Sequence, residues 1–167
     1  KILSGIYAGQ TTGLPGLVTN FTLLSRYEQR QFSMTPDEHY RFADYVSGSI
    51  RIALAEDVGP GDLTAELVPG DQRAQARVIA REACILCGRP WFDEVFAQLN
   101  ETITIDWQID EGGRVEAGQL ICTLSGAAHS VLTGERTALN FLQLLSATAS
   151  TAHTYVDAVA DTQAIIL

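Results

Sequence analysis

Lysine is almost missing from this sequence. Lys1 is the one lysine among eleven basic residues, and all the others are arginine. Chemistry that needs a side-chain amine therefore has only the first residue to draw on. Positive charge as a whole is scarce: 20 acidic residues against 11 basic ones give a formal net charge of −9. An acidic chain has no electrostatic footprint for nucleic acid or an anionic membrane surface, so no partner of either kind is expected. A single arginine can still bind an anionic small molecule. Long apolar runs are absent too, none reaching the roughly 18 residues that a membrane span needs. Cysteine is sparse and odd in number: Cys84, Cys87 and Cys122. That count fits reduced thiols in a cytoplasmic protein better than a disulfide framework. One C-x-x-C pair, Cys84 and Cys87, cannot complete a four-ligand zinc site. ACILCG reads as a strand, whose positions i and i+3 face opposite sides, so these thiols are expected to be buried small hydrophobes.

What is present suffices for a packed domain. The chain has 167 residues, of which 46% are hydrophobic. This suits one domain with a core and a piece of a second. Residues 1–33 are rich in Gly, Thr, Ser and Leu and read as loop or weak strand. They are left unassigned, as an extension or artefact ahead of a native start at Met34.

The pattern sharpens after Met34. Thr35 suits a helix cap, with Pro36 at the first helical position and Asp37 and Glu38 in the first turn. Phe42, Val46, Ile50, Ala53 and Leu54 follow the helical period, and Gly59, Pro60 and Gly61 should end the helix near Asp57. ARVIARE (76–82) and ACILCG (83–88) read as paired strands. WFDEVFAQLN (91–100) reads as a short helix with Phe92, Val95, Phe96 and Leu99 on one side. TITIDWQI (102–109) alternates at period two. EGGRV makes a turn, and QLICTLSG (119–126) alternates again, with Leu120, Cys122 and Leu124 on one face. A long helix then runs to about Asp161. QAIIL (163–167) reads as the opening of a buried strand, which predicts that the rest of a second domain lies beyond it.

One long-helix segment poses a question of charge. In GERTALNFLQLLS (134–146), Thr133, Arg136, Asn140 and Gln143 fall at spacings of three and four, a narrow polar stripe. Leu132, Leu139, Phe141, Leu142, Leu144 and Leu145 occupy the other faces, which predicts burial on most sides. An unpaired buried arginine is costly. Arg136 is therefore either ion-paired internally, or snorkelling at a rim, or held out to grip a carboxylate or phosphate with its planar fork.

Other motifs carry less. In EDVGPGDLT (56–64), Asp57 and Asp62 are of a type that binds metal or moves protons, but such residues more often stabilise helix ends and turns. EGGRVEAGQLICTLSG (111–126) has the G-x-V-x-x-G-Q pattern of half a lipoyl or biotin carrier. The lysine that carries such a cofactor is missing, so the same tight turn is expected without the carrier function. His39, His129 and His153 show no metal spacing and no paired nucleophile. They are expected to be packed or surface residues.

Three segments together, RIALAEDVGPGDLTAELVP (51–69), REACILCGRPWFDEVF (81–96) and VLTGERTALNFLQLLS (131–146), resemble the amino-terminal part of quinolinate phosphoribosyltransferase, also called nicotinate-nucleotide pyrophosphorylase (carboxylating). The resemblance runs from about residue 40 to residue 167. It implies an α+β fold: an amino-terminal α/β sandwich (residues 34–157), then the start of an open, TIM-like α/β barrel (158–167), most of which is absent from this chain. It implies a transferase of NAD biosynthesis, which makes nicotinate mononucleotide, pyrophosphate and CO2 from quinolinate and phosphoribosyl pyrophosphate with Mg2+. It also implies a homodimer or larger assembly, in which the arginine at the position of Arg136 reaches the quinolinate site of the neighbouring subunit. The remaining substrate and metal groups would lie in the barrel, so neither a catalytic residue nor a metal ligand is assigned here, and residues 1–167 alone are expected to be inactive. The competing expectations are a related pyridine phosphoribosyltransferase or pyrophosphorylase-like homologue, and a non-enzymatic carrier-like or structural domain.

Overall fold

The computed structural model describes residues 3–4, 35–58, 72–164 and 166. The remainder, including most of the 1–33 segment and Asp62, lies outside the described residues. Elements follow in the order β1 (Leu3–Ser4), α1 (Pro36–Val58), β2 (Arg73–Ala80), β3 (Cys84–Ile85), α2 (Arg89–Leu99), β4 (Thr104–Trp107), β5 (Arg114–Val115), β6 (Leu120–Ala127) and α3 (Ala128–Ala158).

Helix α1 starts where local chemistry directs it. The Thr35 amide donates to Glu38 Oε2 at 2.8 Å, and the Glu38 amide donates to Thr35 Oγ1 at 3.3 Å. This reciprocal capping box satisfies two amides that the helix itself leaves open. The Thr35 amide and hydroxyl, both donating to Glu38 Oε2, hold the Glu38 carboxyl below its ordinary range. Val46, Ile50 and Leu54, at a spacing of four, form the buried stripe of α1. The Trp91 indole of α2 meets this helix, donating to Ser49 Oγ at 3.2 Å and packing edge-on against Phe42.

The main sheet has the order β1-β2-β6-β4, with β3 and β5 forming a separate two-stranded ribbon. Register sorts the two faces. Ala76, Leu124 and Ile105 lie in one row, and Val78, Cys122 and Trp107 in the next. These rows face the helices and belong to the core, with Ile105 and Trp107 partly buried at its edge. The rows between them carry Gln75, Ser125 and Thr104, then Arg77, Thr123 and Asp106. The sheet is therefore apolar towards the helices and polar on its other face, as one-sided burial of an antiparallel sheet requires.

Three sequence expectations need correction. First, residues 76–82 and 83–88 do not pair with each other. β2 pairs along its length with β6, and β3 pairs with β5. The eight residues of β6 match those of β2 in length and alternation. ACIL instead drops beneath α3, where Leu86 exchanges backbone hydrogen bonds with Gly112 and Gly113. Second, Leu120, Cys122 and Leu124 do not share a simple alternation. The register slips between Val78 and Ile79, leaving Ile121 as the extra residue of a bulge, and Ile121 rather than Leu120 is fully buried. Third, the described residues of 163–167 form no strand. The Ala164 amide bonds to Thr162 Oγ1 at 3.1 Å, a local turn contact, and Ile166 is 42% exposed.

Candidate functional site

The long helix α3 carries the candidate site. Among the described residues no side chain caps its start; the Ala128 amide instead donates to the Gln72 carbonyl at 2.8 Å. Val131, Gly134, Ala138, Leu139 and Leu142 are buried on its inner side. Gly134 lets α3 pack tightly on α2, against Phe96 and Leu99. The opposite face is open. Leu132, Arg136, Asn140 and Leu144, each four residues apart, are all exposed, and Tyr155 continues the face further along.

The expected polar stripe thus divides. Thr133 is buried and Gln143 half-buried, whereas Arg136 and Asn140 stand in solvent. Helix α3 is not enclosed on most sides, and Arg136 is not a buried charge: its side chain is 71% exposed. Leucines on the outer side made the helix look enclosed in sequence, but Leu144 is itself 67% exposed.

Arg136 has an acidic neighbour that spacing did not reveal. Its Nε lies 3.8 Å from Asp57 Oδ1, and that carboxylate is 25% exposed. The other oxygen, Oδ2, accepts a hydrogen bond from Thr137 Oγ1 at 2.5 Å. Asp57 was expected to serve a helix end or turn. It sits in the last turn of α1, but its carboxylate reaches across to two residues of α3. An ion pair at that distance with an exposed partner contributes about 0–1 kcal/mol. It steadies the arginine without consuming it.

The other chemical residues take lesser roles. Cys84 and Cys122 are buried, and burial pushes both thiols up. Burial, assisted by the Glu111 carboxylate, moves the Cys87 thiol up to about 11. All three are protonated at neutral pH, so none is an activated nucleophile. His153 Nδ1 lies 3.0 Å from Asp157 Oδ2, and Arg114 Nη2 lies 3.1 Å from His153 Nε2. His39 and His129 are exposed. Among the described residues, no three His, Cys, Asp or Glu side chains converge to hold a metal. These described residues therefore do not fit an Mg2+ site.

The carrier-like stretch folds as two tight turns, with Gly112 at φ 79° and Gly118 at φ 82°. In place of a cofactor lysine it presents Glu111, whose carboxylate accepts from the Gly88 amide at 2.7 Å and the Arg89 amide at 3.0 Å. It caps α2 from a distance. No helix among the described residues is long and apolar enough to cross a membrane.

The described residues thus form a helix-covered antiparallel sheet that presents an arginine from one long helix. Residues 62–146 match the family described as quinolinate phosphoribosyl transferase, N-terminal domain, and the chain belongs to that family. The nicotinate-nucleotide pyrophosphorylase structure from Francisella tularensis is 41% identical, with a TM-score of 0.68 over 71% of this chain and 42% of that one. A quinolinate phosphoribosyltransferase from Nicotiana tabacum is 30% identical over 86% of this chain and 41% of its own length. The nicotinate-nucleotide pyrophosphorylase of Rattus norvegicus is 40% identical over 65% of this chain and 36% of its own. The chain thus spans about two fifths of the length of such relatives. Asp57 lies just before the family match, and Arg136 and Thr137 lie within it.

Proposed function

We propose that this chain is the amino-terminal portion of a quinolinate phosphoribosyltransferase, and that Arg136 is its contribution to the active site. The whole protein would join quinolinate to the ribosyl group of phosphoribosyl pyrophosphate, releasing pyrophosphate and CO2 to leave nicotinate mononucleotide. Residues 34–157 would form the sandwich domain, and 158–167 would open the barrel that binds phosphoribosyl pyrophosphate and Mg2+. The reading takes the protein as cytoplasmic, in keeping with its free cysteines, although some relatives are named mitochondrial or chloroplastic.

The observation that carries this reading is the exposure of Arg136 on the open face of α3, inside the family match. Quinolinate is a small dicarboxylate, and a guanidinium pairs with a carboxylate in a planar, two-bond fork. Arg136 orients and partly neutralises the substrate. It does not act as a general acid, because guanidinium keeps its proton. An arginine on an outward face is suited to a site completed by a second subunit, so we propose a homodimer or higher assembly with shared sites.

Subunit mixing tests this. Whole-enzyme subunits carrying Arg136→Ala are combined with subunits inactivated in the barrel. A mixed dimer then holds one site with a sound barrel and a sound arginine, and activity returns. If exchange of subunits is demonstrated and no activity returns, Arg136 does not serve a neighbour.

A further inference from the structure

We infer that Asp57 is a positioning residue for Arg136, itself held in place by the Thr137 hydroxyl. The inference rests on the reading that Arg136 grips a substrate carboxylate.

Its own helix gives Asp57 little reason to be there. The residue lies in the last turn of α1, which contains no basic residue. Backbone carbonyls concentrate partial negative charge at that end, so a carboxylate is disfavoured there. Instead it lies largely covered against α3. One oxygen receives the hydrogen bond of Thr137, whose side chain is buried, and the other faces Nε of Arg136. The two contacts go to adjacent residues of one helix, which fixes the carboxylate with respect to the arginine's root.

This arrangement suits an arginine that must remain available. A free, exposed arginine samples many rotamers, and ordering it on binding costs up to about 2 kcal/mol. A contact at Nε narrows that ensemble beforehand. Because the contact is made through Nε, the two terminal nitrogens remain for a paired contact with carboxylate oxygens. The pair is also long and exposed, hence weak enough not to compete with a substrate dicarboxylate. Thr137 supplies the rigidity. A threonine hydroxyl in a buried position has little freedom, and its proton goes to Asp57 Oδ2.

The test uses the whole enzyme and separates KM from kcat. Asp57→Asn keeps the shape and removes the charge; Thr137→Val removes the hydroxyl; Thr137→Ser retains it. Asp57→Asn and Thr137→Val are expected to raise the quinolinate KM roughly two- to fivefold. The KM for phosphoribosyl pyrophosphate should stay unchanged, and Thr137→Ser should be close to wild type. In an Arg136→Ala background, Asp57→Asn should add nothing to the quinolinate KM. An effect of equal size in that background, or a quinolinate KM that stays constant or falls on Asp57→Asn alone, overturns the inference. The underlying reading fails separately, if Arg136→Ala itself leaves the quinolinate KM unchanged. Should Thr137→Val not fold, the near-isosteric Asp57→Asn still decides the matter.

Discussion

Gly134 of α3 packs against the ring of Phe96 in α2: a β-carbon on that glycine would stand 2.6 Å from Phe96 Cε1. Leu99 Cδ1 would be only 2.9 Å away. The glycine therefore allows a close contact between the helix bearing Arg136 and α2. Gly134→Ala should destabilise the fold by about 1–3 kcal/mol, despite the better helix propensity of alanine, because the core has to shift to admit a methyl group. Denaturant unfolding of the whole protein checks the sign. A stabilised variant would show that the helices part easily here.

Arg136 two residues later should behave in the opposite way. Arg136→Ala removes an exposed side chain and should leave stability nearly unchanged. In the whole enzyme the quinolinate KM should rise roughly ten- to a hundredfold, the worth of a charge-assisted hydrogen bond of about 1.5–3 kcal/mol. Arg136→Lys should recover only part, because an ammonium lacks the planar fork. Steady-state kinetics with varied quinolinate give the answer.

Asp93 offers a stability prediction with a defined pH dependence. Burial raises its carboxyl, against the opposing effects of the Trp107 indole, which donates to it at 2.8 Å, and of Arg89; Glu111 adds to the rise. A raised native value means that the folded protein holds the proton more tightly than the unfolded chain. The associated stability is complete at acid pH and is lost as pH climbs through the carboxylate range. Asp93→Asn keeps an oxygen for the indole and removes the half-buried charge. Its Tm should exceed that of the parent at about pH 7, and the gap should close as pH falls towards about 3. A gap that widens on acidification would contradict the assignment.

The cysteines should be slow to react. With its thiol pushed up to about 11, Cys87 should be alkylated at about pH 8 roughly a hundredfold more slowly than an unhindered thiol. The same rise makes Cys87 a source of alkaline sensitivity: its contribution is intact below about 9 and is lost as pH approaches about 11. Mass spectrometry of iodoacetamide-treated native protein, compared with denatured protein, measures the first effect.

Much of this fold was legible in sequence wherever the causes are local. The Thr35–Glu38 box sets the start of α1 from four consecutive residues, and the apolar period of α2 correctly places Phe92, Val95 and Phe96 inside. Strand partners were not legible, because any two alternating segments satisfy the same pattern; β2 found β6 rather than the next segment in line. The bulge at Ile121 escaped for a related reason, since one extra residue in a ladder leaves no mark on composition. Arg136 stands out in sequence, but its surroundings do not: outward leucines at helical spacing have the same pattern as core-facing ones. Its contact with Asp57 joins two helices nearly 80 positions apart, a separation at which spacing carries no information.

The remote cap on α2 has a consequence for how the domain is assembled. The first amides of α2 are satisfied not by a preceding residue but by Glu111, 22 and 23 positions further along the chain. During synthesis, α2 leaves the ribosome with its leading end unfinished, and it acquires its boundary only once the turn bearing Glu111 has emerged. A ribosome pausing between those two points would hold a helix prone to fray from its front, and release of the next few residues would seal it.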